Sequence, residues 1–406
     1  MSLPTCARNA TLRDLEAILR HQHAAKLDVV APATAIRSER GAIVLSGVTP
    51  LLDERGVTTV DGRYVPTAAA DGTIAAKLGI SLRYLRRLRA ERVDLFDANV
   101  NGWLHGHADN PPDPRSFLLR LFRRDDGDGV LRAMLSDSYG IIDNLDVLTA
   151  VLDGIRQADV DVEVRACDLS ESAMHCKVYS PGVARLAPAL LAGYRNPFSD
   201  PTLDAERRRI VTDLDDGRRA AQAEGQGYDE EPVVFAGFRF SNSEIGDGSV
   251  TLKPELFVRV CSNGLTLPAL AVRKVHMSGR MEAGTVTWSR DTQNKHLAVI
   301  ASQARDAVRH WLSPEFLAEQ VDHVEQTAAT PVTQPESTVK VVAKRLGFTD
   351  AEREGVLRHF IAGGQLTTGG LAHAITSFSQ TVADPDRADA LDDLALTAMT
   401  SAHRPR

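Results

Sequence analysis

The chain has 406 residues, 43% hydrophobic and 25% charged, with a net charge of −7. That length buries a sizeable core and divides into two or three units, and the composition is that of a globular protein. An acidic balance excludes a general attraction to nucleic acid, so any such role has to rest on local patches. No apolar run reaches the ~20 residues of a membrane span. The opening MSLPTCARNATLRDLEAIL lacks the basic-then-apolar pattern of a signal peptide, so export is not expected. The four cysteines, Cys6, Cys167, Cys176 and Cys261, show no CxxC spacing. A reduced, cytoplasmic setting fits that usage better than a disulfide scaffold or a structural zinc.

The first strong pattern is Asp71–Ala90, DGTIAAKLGISLRYLRRLRA, inside an N-terminal region taken as 1–110. Ile74, Ala75 and Leu78 have the spacing of a short helix, Gly79 supplies a turn that needs positive φ, and Ile80 anchors it. Ser81 is an N-cap candidate, and Leu85 and Leu88 give the second helix its inner face. The small Ala75 lets the two helices cross closely. From Asp71 to Arg92 there are six Lys/Arg against two Asp/Glu. Arg83, Arg86, Arg87, Arg89 and Arg92 are therefore a helix-turn-helix patch able to meet phosphates.

Residues 111–326 read as an α+β core. Arg115–Arg124, RSFLLRLFRR, carries Arg120, Arg123 and Arg124 with no acid. Val130–Ser136 is a short apolar run, and SDSYGIIDN with Tyr139 is a turn leading into a helix at Leu145–Ile155. Val160, Val162, Val164 and Ala166 alternate with charged residues, as do Met174, Cys176 and Val178, then Val234, Ala236, Phe238 and Phe240. The longest strand places Val250, Leu252, Leu256, Val258 and Val260 on one face and Lys253, Phe257, Arg259 and Cys261 on the other. SNSEIGDGS before it is a hairpin turn. Leu186–Glu231 reads as an insertion with a charged helical piece. Helices follow at Gln293–Gln326. Hairpins in succession backed by helices predict α+β with an antiparallel sheet. TAATPVTQPEST, 327–338, reads as a linker, and 339–406 as a small helical domain. There Val342, Ala343, Leu346, Gly347 and Phe348 echo the first helix-turn-helix, with Arg353 where Leu85 packs.

A third basic stretch, Arg259–Arg280, contributes Arg259, Arg273, Lys274 and Arg280, with His276 beside them. The three stretches carry +12 in a chain of −7, which leaves −19 for the remainder. Such concentration suits a groove tracking a phosphate backbone, with Tyr139 as a stacking candidate and Arg259, Arg273, Lys274 and His276 as its charge.

Chemistry is weakly indicated. His105 with His107, and His21 with His23, offer two imidazoles each, short of the three or four ligands zinc needs. Cys261 beside Asn263 and Gly264, with His276 downstream, is a conceivable nucleophile, and a buried strand-end cysteine explains it as well. Asp137, Asp143 and Glu244 are scattered carboxylates for a metal-dependent nuclease, though all sit in turns where such residues cap helices. No phosphate loop, GxGxxG, GxSxG or HExxH is present. No cofactor is expected.

LGISLRYLRRL followed by NVNGWL, LSDSYGIIDN followed by a helix, and FSNSEIGDGSV continuing through LFVRVCSNGL to KVH together resemble phage- and plasmid-associated proteins grouped under a domain of unknown function. The resemblance runs from about Ile74 to Gln326 and implies a mobile-element setting with DNA-processing neighbours. The hairpin sheet backed by a helix is also similar, at the level of fold, to single-strand annealing recombination proteins, which implies homo-oligomerisation through sheet edges. The expectation is a non-enzymatic, single-stranded-DNA-binding protein. A helix-turn-helix regulator of duplex DNA and a metal-dependent DNA-processing enzyme are the alternatives.

Overall fold

The computed structural model describes residues 5–53, 56–107, 109, 111–124, 127–211, 233–246, 250–258, 263–266, 272–274 and 290–403. It is mixed α+β, with two sheets rich in antiparallel pairs and a C-terminal helical region.

The chain enters through β1 (Ala7–Ala10) and α1 (Leu12–Ala25). Thr11 starts the helix through a capping box, its hydroxyl accepting the Asp14 N–H at 3.1 Å. The first sheet then forms from β2 (Lys26–Pro32), β3 (Ile36–Glu39), β4 (Ala42–Leu45), β7 (Gly62–Pro66), β8 (Ser116–Phe122) and β9 (Gly129–Ser136). Its order is β2-β8-β9-β7-β4-β3, antiparallel except at β7–β9. A separate ribbon of β5 (Leu51–Asp53) and β6 (Gly56–Thr58) precedes β7. Between β7 and β8 come α2 (Ala68–Leu78), α3 (Leu82–Glu91) and α4 (Val93–His105). Their buried residues Ile74, Ala75, Leu85, Phe96, Val100 and Leu104 share a core with Leu119, Leu121, Leu131 and Met134 of the sheet.

The second part holds α5 (Asn144–Ala158), β10 (Glu163–Leu169), β11 (Ala173–Leu186), α6 (Pro188–Leu191), α7 (Pro201–Arg208), β12 (Val233–Ser243), β13 (Val250–Val258), β14 (Asn263–Thr266) and β15 (Val272–Lys274). The sheet order is β1-β10-β11-β12-β13-β14, with β15 also pairing β13. The helices α8 (Arg290–Trp311), α9 (Pro314–Ala328), α10 (Pro335–Leu346), α11 (Asp350–Gly363), α12 (Thr368–Ser379) and α13 (Pro385–His403) follow. Alternation on β11–β13 sends Met174, Cys176, Val178, Ala236, Phe238, Phe240, Leu252 and Leu256 into one core with α1, α5 and α8. Full burial of each Phe there contributes roughly 1.5–3 kcal/mol. Among the described residues no helix is long and apolar enough to cross a membrane.

Three sequence expectations differ from what is observed. The run Val130–Ser136 is β9 of the first sheet, so that sheet continues past residue 110, while β1 and α1 join the second. The 327–338 segment is packed: Val332 is buried and its N–H donates to Leu366 O at 2.9 Å, and Thr368 N–H donates to Thr330 O at 2.9 Å. The helices beyond it share the second core through Val342, Phe360, Leu371 and Leu391. The start of the 186–231 segment also joins that core, through Leu190, Tyr194, Phe198 and Leu203, while 212–232 lie outside the described residues.

The echo in the C-terminal region is real in the backbone. Gly79 and Gly347 both adopt the left-handed conformation, at φ 67° and 73°. Both turns close in the same way: Ile80 N–H donates to Ala75 O, and Phe348 N–H to Ala343 O, each at 2.9 Å.

Candidate nucleic-acid interface

The α2–α3 pair is a helix-turn-helix, as its spacing predicts. Ser81 stands at the start of α3 but its hydroxyl makes no capping bond. Only Leu85 and Leu88 of α3 are buried, so the helix rests on α2 and α4 with a wide face outward. Arg83, Arg86 and Arg87 lie on that face. Arg86 donates to Ala68 O at 3.0 Å, and Arg87 pairs with Glu91 at 2.9 Å. Tyr84, 48% exposed, stands among them and is not marked by any motif of the sequence. Arg89 turns inward, pairing with buried Asp71 at 2.6 Å and lying 4.4 Å over the Phe96 ring. Burial pushes the Asp71 carboxyl up and the Arg89 guanidinium down, so this pair orders the hairpin at a desolvation cost. Arg115 bridges the first two basic stretches, donating to Lys77 O at the end of α2 at 3.0 Å. Arg123 and Arg124 are exposed just beyond β8.

Arg120 has to be withdrawn from the interface. It is fully buried, pairing with Asp143 at 2.6 Å and Asp28 at 3.2 Å and donating to Glu244 O at 2.9 Å. Lys26 joins Asp143, and Arg132 joins Glu244. Burial opposes charge at Asp143 and Glu244, but Arg120 with Lys26, and Arg132 with Arg120, hold the two carboxyls below their usual range. The nuclease candidates Asp143 and Glu244 thus do meet, but around cations, where they tie the two sheets together; Asp137 is exposed apart from them. Tyr139 is less open than its expected role asks. It is half-buried, packed against Leu118, Ala133, Leu135 and Ile245.

Arg273 and Lys274 occupy register positions opposite Thr251 and Val250, with their side chains outside the described set. Arg259, Cys261 and His276 lie outside the described residues, and with them the cysteine-nucleophile reading. His105 meets Ile36 O at 2.7 Å, His107 is placed against Gly102, and His21 and His23 are exposed on α1. Among the described residues no group of three or more His, Cys, Asp or Glu is placed to hold a metal.

A second cationic surface is not evident from the sequence. On the polar face of the second sheet, Lys177 of β11, Arg239 of β12 and Lys253 of β13 stand directly opposite one another. Like charges in that register repel. Aspartates of α13 neutralise them. Lys177 pairs with Asp392 at 2.6 Å, Arg239 with Asp389 at 2.6 Å and Asp393 at 2.5 Å, and Lys253 with Asp393 at 2.5 Å. Two residues along β11, His175 places its two ring nitrogens 2.9 Å from Asp386 and 3.1 Å from Asp389. Burial disfavours its charge, but the two carboxylates prevail and raise it to about 9, so it is an imidazolium at neutral pH. Arg8 of β1, paired with Asp168 at 2.5 Å, donates to Ser379 O and Val382 O and ties down the connection into α13. The legible signal is the spacing of Asp386, Asp389 and Asp393, three then four apart, which lines one helix face with acid.

Comparison with protein-family models, with curated proteins and with solved structures finds no match.

Proposed function

We propose that this protein binds DNA through α3. One observation carries the reading: the outer face of a helix-turn-helix presents Arg83, Tyr84, Arg86 and Arg87, while the inner face is fixed by Leu85, Leu88 and the Arg89–Asp71 pair. A helix so presented enters a major groove with its arginines on phosphates or base edges, which supports duplex DNA as the ligand. The resemblance to phage- and plasmid-associated proteins supports a mobile-element setting. Single-stranded DNA is the second reading. Exposed Tyr84 between arginines supports it, because an aromatic face beside cations is what a stacked single strand uses. Burial of Arg120 and the partial packing of Tyr139 weaken a separate groove and shift the balance to the helix. Mobility shift with matched single- and double-stranded oligonucleotides across a salt series tests this. Duplex preference supports the first reading and single-strand preference the second. Absence of binding to either at low salt overturns both.

A further inference from the structure

We propose that Cys167 and Cys176 are a redox pair, closed to a disulfide by small-molecule disulfides of the oxidised-glutathione class and gated by the edge strand β1. This site is separate from α3 and stands whether or not α3 binds DNA.

Of the four cysteines in 406 residues, two stand directly opposite each other, Cys167 of β10 against Cys176 of β11. Both are free thiols, fully buried in the second core. One buried cysteine fills space as a small apolar residue and needs no partner. Two in register do more, because the register supplies the geometry a disulfide requires. Residues directly opposite in an antiparallel pair have Cα atoms about 4.5 or 5.5 Å apart, and a disulfide spans about 4.4–6.8 Å. Their Cβ atoms lie about 4.5–5.5 Å apart, against about 3.5–4.5 Å in the bond, so closure draws the strands together by about 1 Å. The Cys176 thiol already meets the Cys167 thiol through a hydrogen bond.

Access is the slow part. Burial pushes the Cys176 thiol well up and keeps both sulfurs from a dissolved oxidant. The outer neighbour of β10 is β1, a strand of four residues at the end of the sheet. Its pairing is irregular: the register shifts between Ala7 and Ala10, and Asn9 sits at φ 50°. Ala10 is the residue opposite Cys167, and β1 runs directly into α1, which packs on β10. A short, irregular edge opens more readily than the strands behind it, and lifting that end uncovers Cys167. Arg8 holds it down through Asp168, Ser379 O and Val382 O, and Asn9 N–H donates to Asp168 at 2.6 Å.

Once open, the Cys167 thiolate attacks one sulfur of oxidised glutathione and releases a first glutathione thiolate. The Cys176 thiolate then attacks Cys167 Sγ in the mixed disulfide and releases the second. The two thiol protons end on the two glutathiones, and the two electrons lost by the protein reduce the oxidant. The bond staples β10 to β11 between His175 and Lys177, the residues of β11 that hold Asp386, Asp389 and Asp392 of α13.

Trypsin makes the test direct, because cleavage after Arg165 and Lys177 leaves ACDLSESAMHCK, with both cysteines in one peptide. The folded full chain is incubated with excess oxidised glutathione, its remaining thiols are blocked with N-ethylmaleimide in guanidinium, and the digest is weighed by mass spectrometry. That peptide should be lighter by two hydrogens and free of maleimide, and dithiothreitol before blocking should restore two adducts. Arg8→Ala should form the bond about tenfold faster, while low urea should leave the wild-type rate nearly unchanged, since a local opening exposes little surface. Two maleimide adducts after prolonged exposure, a lasting glutathione adduct, or a bond from Cys6 or Cys261 instead overturns the proposal. So does a wild-type rate in folded Arg8→Ala, or a rate that climbs steeply through low urea, which would confine oxidation to the unfolded chain. If Arg8→Ala does not fold, the urea series alone decides the gate.

Discussion

The molecule carries two cationic clusters of similar size in opposite circumstances. On α3, Arg83, Arg86 and Arg87 face solvent, and Arg87 is matched by a neighbour on its own helix. On the second sheet, Arg239 and Lys253 are buried, Lys177 is half-buried, and all three are matched by a helix that follows them by more than a hundred residues. The difference teaches how charge divides between function and architecture. Exposed ion pairs contribute little to stability and are available to a ligand. Buried ones become structural whatever else they do, because removing one partner strands the others.

The largest expected effect follows from that. Arg239 is 1% exposed and meets Glu255, Asp389 and Asp393, so Arg239→Ala removes the buried cation these carboxylates share and leaves Lys253 and His175 to hold Asp393 and Asp389. A loss of about 3–5 kcal/mol in urea unfolding is expected. A loss near zero would show that the α13 layer is loosely held and the contrast between the clusters false.

Ala75→Leu comes next. Ala75 is buried where α2 meets the turn into α3, so a larger side chain forces the hairpin apart at a cost of about 1–3 kcal/mol. DNA binding should fall with it, since the arginines then lose their frame. Retained binding in a destabilised variant would mean that α3 acts without its hairpin.

Protonation sharpens the comparison from another side. His175 is raised from 6.5 to about 9 in the folded chain, so its contribution is complete below about 6.5 and is lost as pH rises through about 9. His359 and His373 are opposite cases. Burial holds them neutral, lowering them to about 3 and about 4, so their contribution is present above 6.5 and is lost as pH falls toward those values. Thermal unfolding should therefore show stability falling on both sides of neutrality, and His175→Gln should flatten the alkaline limb alone. An unchanged alkaline limb in that variant would remove His175 from the α13 clamp.

The smallest effect belongs to the exposed cluster. Arg83→Ala with Arg87→Ala should leave the melting temperature where it was, because neither side chain holds the fold. A clear drop would make these arginines structural.

Legibility in the sequence follows locality. The α2–α3 hairpin and the strands β10 to β13 declare themselves because helix period, strand alternation and the Gly79 turn are written within a dozen residues. The placement of β9 does not, since it pairs in parallel with β7 across the three intervening helices. The short β1, with Arg8 and Asn9 among alanines, has no readable alternation, and its partner β10 lies far along the chain. Arg120 reads as surface charge because its carboxylates, Asp28, Asp143 and Glu244, are scattered through the sequence. Lys177, Arg239 and Lys253 read as the ordinary solvent face of a strand for the same reason.

The central claim is that the exposed arginines of α3, and not the buried cations, are where the resting protein meets DNA. Its most direct test is the salt dependence of duplex binding for the wild type and for the variant with Arg83, Arg86 and Arg87 all alanine. The account expects weaker binding across all sequences and a log–log salt slope shallower by about one for each phosphate no longer engaged. Unchanged affinity and slope in a variant that melts like the wild type would contradict it.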